Sequence, residues 1–367
     1  MKIGVPKEIL DQEYRVALTP AGVHALVSQG HTVYIENSAG LGSGIVNEDY
    51  ISAGAQILNS PGDVFDASDI ILKVKQPLEH ECKFLKSSQI LFTFLHLAAD
   101  KELALNLCKS KATCIAYETI ELSNGALPLL IPMSEIAGRM SVQIGAHHLE
   151  KYFGGKGILL GGVPGVEPAK VVIIGGGTVG INAAKMAIGL GASVSMLDSN
   201  LIRLRELDDY FHGRLHTVYS TQHKIAELAA KADLVITAVL VTGAKAPKLI
   251  TKETISNMQS GSVIVDVAID QGGCVEGAKL TKHSNPIVKL GNVCLYAVPN
   301  IPGAVPVTST IALTNSTLPY VLKLANKGYS AIFEDTSLLK GVNIHNSSVV
   351  HNVVAQALDM SFTPLNR

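Results

Sequence analysis

The stretch Lys170-Val171-Val172-Ile173-Ile174-Gly175-Gly176-Gly177-Thr178-Val179-Gly180 runs a β-branched, apolar segment straight into a complete G-x-G-x-x-G. A buried strand followed by that glycine spacing predicts a strand–turn–helix unit suited to a dinucleotide. Gly175 permits a sharp turn out of the strand, Gly177 lets backbone approach a pyrophosphate, and Gly180 lets the next helix pack closely on the sheet. The helix offers its unpaired N–H groups and the positive end of its dipole to the phosphates, so no basic side chain is needed there. Further on, Ala192-Ser193-Val194-Ser195-Met196-Leu197 follows Gly191 as a second strand and ends at Asp198. An acidic residue about 20 positions after such a fingerprint holds a ribose diol. A carboxylate there also repels a 2′-phosphate, which favours NAD over NADP, against a weaker opposing pull from Arg203 and Arg205 just behind it. The bland alternative, an ordinary strand-to-helix turn, leaves the joint occurrence of strand, helix and acid unexplained.

Outward from this motif, composition sets the limits. The chain has 367 residues, long for one core and suited to two domains. Hydrophobic residues make up 47% and charged residues only 17%, which implies a large interior and buried subunit surface. A formal charge of −1 without a Lys/Arg cluster leaves no footprint for a polyanion, so nucleic acid is set aside as a partner. The opening Met1-Lys2-Ile3-Gly4-Val5-Pro6-Lys7-Glu8 lacks the apolar core of a signal peptide, and no charge-free apolar run of about 18 residues occurs. A cytoplasmic location away from membranes is expected. Cys82, Cys108, Cys114, Cys274 and Cys294 are odd in number and contain no C-x-x-C pair, so neither a disulfide framework nor a zinc site is suggested. They read as small core residues.

Strand and helix patterns alternate almost throughout, which argues for an α/β protein with parallel sheets. The expected architecture is two Rossmann-like, doubly wound parallel-sheet domains with a cleft between them. The first opens with a strand over 2–5 and a helix started by Thr19 as N-cap with Pro20 in the first helical position, closed by Gly30. Strands over 31–36, 69–75, 89–96 and 113–118 follow, with a helix over 101–110. The chain breaks near Pro128 to Pro132, and Ser134 is read as the cap of a connecting helix over 135–152. After the glycine-rich 154–165 come strands near Val171 and Ser193, then over 234–240, 262–268 and 293–298. A helical pattern over 309–326 opens the last sixty or so residues, which lack a second fingerprint and are expected to return to the first domain. The division expected is therefore 1–128 plus 305–367 for substrate and 129–304 for NAD.

A nucleotide domain does not name a reaction, so chemistry is sought in the first unit. Arg15 lies in a loop after the first strand; Lys75 and His96 end successive strands, at the carboxyl edge where open α/β sheets bind ligands. Asp270 closes a strand at the matching edge of the nucleotide domain, and a cleft could gather all four. Each has a duller reading. Arg15 fits a solvated loop charge, Lys73 and Lys75 alternate as on the wet face of a strand, His96 fits a hydrogen-bonded structural histidine, and Asp270 fits a cap on Gln271-Gly272-Gly273. The pair His147-His148 and the run Glu79-His80-Glu81-Cys82 lack H-E-x-x-H-like spacing and are not read as metal ligands.

Together, Arg15-Val16-Ala17-Leu18-Thr19-Pro20, Lys73-Val74-Lys75-Gln76-Pro77, Phe92-Thr93-Phe94-Leu95-His96-Leu97-Ala98 and Ala116-Tyr117-Glu118-Thr119 resemble alanine dehydrogenase. The likeness continues through Gly161-Gly162-Val163-Pro164-Gly165-Val166, the fingerprint, Asp266-Val267-Ala268-Ile269-Asp270-Gln271-Gly272-Gly273 and Ile311-Ala312-Leu313-Thr314-Asn315, covering essentially the whole chain. Gln76 stands where a glutamate is common and Val307 where a basic residue is common. Those departures touch loop contacts.

The resemblance implies reversible oxidative deamination of L-alanine to pyruvate and ammonium, with NAD accepting the hydride. It gives Arg15 the substrate carboxylate, Lys75 the same region and the developing charge, His96 general acid–base work, and Asp270 the orientation of ammonia or water beside an iminium. It makes Ser134, Thr178, Val179, Asp198, Arg203, Ser220, Val239, Leu240, Val267, Ala268, Ile269, Asp270, Lys279, Val298, Pro299, Asn300 and Ile301 cofactor contacts beside Gly175, Gly177 and Gly180. It also implies a homohexamer. Two alternatives stand: the NAD-binding portion of a proton-pumping transhydrogenase, with membrane partners, and a catalytically silent NAD-sensing module.

Overall fold

The computed structural model describes residues 1–239 and 246–365. They form two compact units, Met1–Met133 with Val305–Arg367, and Ser134–Ala304. The first carries β1 (Lys2–Val5), β2 (Thr32–Glu36), β3 (Gln56–Leu58), β4 (Ile70–Leu72), β5 (Ile90–Thr93) and β6 (Thr113–Ala116). The second carries β7 (Lys170–Ile174), β8 (Ser193–Asp198), β9 (His216–Tyr219), β10 (Leu234–Thr237), β11 (Val263–Asp266), β12 (Ile287–Leu290) and β13 (Val293–Tyr296), and the chain then adds β14 (Val342–His345) and β15 (Ser348–Val349) to the first.

The sheet orders are β15-β14-β6-β5-β4-β1-β2-β3 and β12-β13-β11-β10-β7-β8-β9. Pairing is parallel except at one edge of each sheet, where β14 runs antiparallel to β6 and β15, and β12 to β13. Both units are α/β with helices on a parallel-dominated sheet. In the second, alternate residues of the central strands feed two cores. Val171, Ile173, Val194, Met196, Leu234, Ile236, Val263 and Val265 pack on one side. Val172, Ile174, Leu197, Val235 and Ile264 pack on the other. Burial on both faces is why these strands read as continuous apolar runs rather than as alternation. Each such Val or Ile contributes about 1.5–3 kcal/mol of burial.

Several local expectations change. Thr19 does cap the helix Pro20–Val27, its side chain accepting the Gly22 N–H, and the helix Lys101–Ser110 is capped by Asp100. The connecting helix spans Ile131–His148, so Ser134 lies inside it rather than capping it. Pro132, read as a break, falls in the first turn, where the missing N–H has no partner to lose. The strands stop short, at Leu72, Thr93, Ala116, Thr237 and Asp266, where 75, 96, 118, 240 and 268 were expected. Val74, Phe94, Leu95 and Tyr117 remain buried beyond the ladder, which is why the apolar pattern overran it. Lys73 is fully buried and ion-paired, not on a wet face. All five cysteines are buried and free.

Candidate functional site

At the carboxyl edge of the first sheet, three segments leave β1, β4 and β5 and carry Arg15, Lys75 and His96. Arg15 is buried at 2% exposure, which removes the solvated-charge reading. Glu13 fixes its plane: Arg15 Nε donates to Glu13 Oε1 at 2.7 Å and Nη2 to Oε2 at 2.6 Å, while Nη1 points to Met133 Sδ at 3.2 Å. The loop is tied down by the Val16 N–H, which donates to Thr310 Oγ1 on the helix Pro306–Lys327. Lys75 is half-buried, and its carbonyl accepts from Thr93 Oγ1 at 2.9 Å.

His96 follows β5 in the left-handed region, φ 50° and ψ 34°. Its ring stacks on Phe94 with centroids 5.7 Å apart and planes 8° apart, and Phe94 in turn meets the Tyr117 ring edge-on. Desolvation first, then the positive charges of Lys75 and Arg15, pull the imidazole pKa down to about 3. His96 is exposed on the surface of this unit, so water moderates both the desolvation and the pull of the two cations, and the shift stays downward. The product is a neutral imidazole beside two cations at neutral pH.

In the second unit, β7 is flanked by β10 and β8, so strand order reverses beside the fingerprint. Gly175 turns at φ 106°, and a Cβ there would lie 2.6 Å from the Ala238 carbonyl oxygen. A Cβ on Gly180 would collide with the Gly175 carbonyl oxygen, while one on Gly177 would meet nothing within 4 Å. Gly177 is also the N-cap of the helix Thr178–Gly189, with no side-chain cap hydrogen bond. Open backbone over an uncapped helix start fits the pyrophosphate of a dinucleotide.

Asp198, half-buried at the end of β8, accepts the Gly176 N–H on Oδ2 at 2.8 Å and the Asn200 N–H on Oδ1 at 2.8 Å. Arg203 Nε donates to the Gly176 carbonyl at 2.8 Å and Nη1 pairs with Glu206 at 2.6 Å. The Ser220 N–H donates to the Asp198 carbonyl at 2.9 Å. Val239 Cγ2 lies 3.1 Å from where a Gly175 Cβ would sit. The expected ribose acid and the expected cofactor contacts Arg203, Ser220 and Val239 thus share one edge with the fingerprint.

Asp270 does not close a strand. It is exposed on the 3-10 turn Val267–Gln271 and accepts the Asn300 N–H at 3.2 Å, with Asn300 at φ 61°. That bond joins Val267, Ala268, Ile269 and Asp270 to Val298, Pro299, Asn300 and Ile301. Ser134 is half-buried within its helix, Lys279 is exposed on the segment after Glu276, and Leu240 lies outside the described residues.

Two acids that hold these residues, and a third at the start of the turn Val267–Gln271, were given no role from sequence. Glu13 grips Arg15. Glu118 accepts the N–H groups of Leu95 and His96. Asp266, fully buried, takes Thr237 Oγ1 at 2.6 Å and the Cys274 and Val275 N–H groups. Burial raises its pKa against the pull of those donors. Glu118 and Asp266 sat inside motifs already quoted, which was the available signal.

Comparison with known proteins gives consistent neighbours. Residues 4–137 match the family model "Alanine dehydrogenase/PNT, N-terminal domain" and residues 141–352 its C-terminal counterpart. An alanine dehydrogenase of Methanococcus maripaludis is 57% identical over 100% of this chain and 99% of its own. A solved L-alanine dehydrogenase superposes with TM-score 0.95 at 53% identity, covering 98% of this chain and 99% of that one. A transhydrogenase from Sinorhizobium meliloti superposes with TM-score 0.82 at 26% identity, covering 96% and 99%.

Proposed function

The chain belongs to the alanine dehydrogenase/PNT family and is an amino-acid dehydrogenase, and from that premise we propose that it is an NAD-dependent L-alanine dehydrogenase, interconverting L-alanine with pyruvate and ammonium. The observation that carries this reading is that two cations, Arg15 and Lys75, and the imidazole of His96 follow the adjacent strands β1, β4 and β5 at one edge of one sheet. A carboxylate substrate and a proton carrier are what such a set serves.

The roles follow from charge and geometry. Arg15, held planar by Glu13, binds the substrate carboxylate through charge-assisted hydrogen bonds. Lys75 stabilises negative charge developing on the carbonyl-side oxygen. A nicotinamide held at the fingerprint would supply the hydride acceptor for oxidation and the hydride donor for the reverse direction. Loss of hydride leaves an iminium on the substrate, and Asp270 offers it an anion. Neutral His96 takes a proton from the water that adds to Cα and gives it to the departing amine, the reverse order serving amination.

Asp198 supports NAD rather than NADP. Its carboxylate stands at the fingerprint, and Arg203 is engaged with the Gly176 carbonyl and Glu206 rather than offered to a 2′-phosphate. Gly175, Gly177, Thr178, Val179 and Gly180 would hold the pyrophosphate. We assign substrate recognition to the first unit and the cofactor to the second. The transhydrogenase reading is weaker because that likeness stands at 26% identity against 57% for the dehydrogenase relative. Among the described residues no helix is long and apolar enough to cross a membrane. A cytoplasmic homohexamer is part of the same proposal, and sedimentation velocity tests the assembly.

The deciding experiment is NADH oxidation by purified protein with pyruvate plus ammonium, with each omitted in turn and with a His96→Ala variant. Turnover that needs both substrates and is lost in the variant is expected. Tight NADH binding without turnover would move the assignment to the transhydrogenase-like or sensing alternative.

A further inference from the structure

Lys75 sits three residues beyond the end of β4, on backbone that the sheet no longer holds by regular pairing. β4 meets β1 at Ile3 with Ile70 and Gly4 with Ile71, and β1 ends at Val5, before Pro6. On the β5 side the contact continues: the Lys73 N–H donates to the Phe92 carbonyl at 3.2 Å and the Phe94 N–H to the Val74 carbonyl at 3.3 Å. On the β1 side a side chain replaces the strand. Glu8 Oε1 accepts the Val74 N–H at 2.6 Å and the Lys75 N–H at 3.3 Å.

The carboxylate that does this is itself aimed. Lys73 Nζ lies 3.2 Å from Glu8 Oε2 and 2.9 Å from Glu81 Oε1, with all three side chains no more than 2% exposed. Glu81 Oε2 then accepts the Leu78 N–H at 2.8 Å, past Pro77. Burial acts to lower the Lys73 pKa, but Glu8 and Glu81 outweigh it and hold the ammonium charged. The segment from Val74 to Leu78 is thereby gripped at both ends by one buried triad. Buried ion pairs of this kind add little net stability over apolar side chains of the same volume, since desolvation consumes the Coulomb gain. Stability alone does not account for three charges in this place.

We propose that Glu8 is a positioning residue for Lys75, acting through the backbone N–H groups of Val74 and Lys75, with Lys73 and Glu81 fixing the Glu8 carboxylate. The inference rests on the substrate role assigned to Lys75 above. The Glu8 oxygen, rather than its charge, is the working part, and that separates the proposal from a generic structural role.

Two triple variants test it. Glu8→Gln/Lys73→Met/Glu81→Gln removes the charges but keeps an acceptor oxygen for Val74 and Lys75. Glu8→Leu/Lys73→Met/Glu81→Gln removes the charges and the acceptor. Both are compared by thermal melting, by NADH affinity and by kcat and KM for pyruvate. The expected result is similar NADH affinity for both, with a lower melting temperature for the second, whose Val74 and Lys75 N–H groups lose their acceptor. The first variant should keep kcat/KM within a few-fold of wild type, and the second should lose on the order of 10²-fold, from misplacement of Lys75 by about 1 Å. Equal kcat/KM in the two would overturn the proposal. Should the triple variants fail to fold, Glu8→Gln against Glu8→Ala gives the same contrast, and loss of turnover in folded Glu8→Gln would overturn it as well. Wild-type protein without alanine dehydrogenase turnover sinks both this inference and the function beneath it, whereas active wild type with matched variants sinks this one alone.

Discussion

Glu118 Oε1 accepts the backbone N–H of His96 at 2.6 Å, and the same oxygen takes that of Leu95 at 3.2 Å. The bonds sit where His96 adopts φ 50°, a left-handed conformation that costs a side-chain-bearing residue about 1–3 kcal/mol and persists only where its surroundings hold it. Glu118 imposes it, and so aims the imidazole through the main chain.

Glu118→Ala should therefore lower kcat on the order of 10²-fold with little change in NADH affinity, since the loss is one of aim rather than of a reacting group. Glu118→Gln keeps an acceptor oxygen and should recover most of the rate. Steady-state kinetics of both variants decides it. A glutamine variant as slow as the alanine one would show that the negative charge, not the backbone hydrogen bonds, is what matters.

The low pKa of His96 gives a pH signature. With the folded value near 3 and the unfolded value near 6.5, the unfolded chain binds the extra proton between them. The fold is unpenalised above about 6.5 and loses stability as pH falls below it. His96→Asn should therefore lose less of its urea midpoint than wild type between pH 7.5 and 5. Lys75→Met removes one of the two depressing cations, so the His96 NMR titration should move upward. A titration that stays put would remove Lys75 from the imidazole's surroundings.

Local signals were legible and tertiary ones were not. The fingerprint and the Thr19-Pro20 cap each lie within a few residues of chain, so their physics is written in order along it. β3, β12, β14 and β15 are two to four residues long, too short to show a period, and β3 and β14 also need the distant strands β2 and β6 to form. Lys75 and His96 were found because strand ends point to the ligand edge. Glu8, Glu13, Glu118 and Asp266 carry no pattern of their own. Glu13 grips a neighbouring side chain, while the other three bind mainly backbone N–H groups, whose need for an acceptor arises only once the strands have stopped.

Asp198 connects cofactor choice to the fingerprint. Because its Oδ2 already accepts from Gly176, Asp198→Ala should both loosen the loop and remove the repulsion of a 2′-phosphate. NADH affinity should fall while the ratio of NADPH to NADH affinity rises. The chain has no tryptophan, so the emission of the reduced nucleotide itself is a clean titration signal. An unchanged ratio would place the ribose elsewhere.

The fingerprint glycines should separate into two kinds. A methyl on Gly177 meets no protein atom within 4 Å, but it stands over the uncapped start of the helix Thr178–Gly189. Gly177→Ala should melt close to wild type and bind NADH at least tenfold more weakly, because the methyl intrudes where backbone must approach phosphate. Gly180→Ala drives its methyl into the Gly175 carbonyl oxygen, so the helix must move off the strand. That variant should lose stability by about 1–3 kcal/mol, the ordinary cost of overpacking, and lose affinity as a consequence. Melting curves and NADH titrations of the two side by side test the division. Destabilisation by Gly177→Ala, or a stable Gly180→Ala with intact affinity, would contradict it.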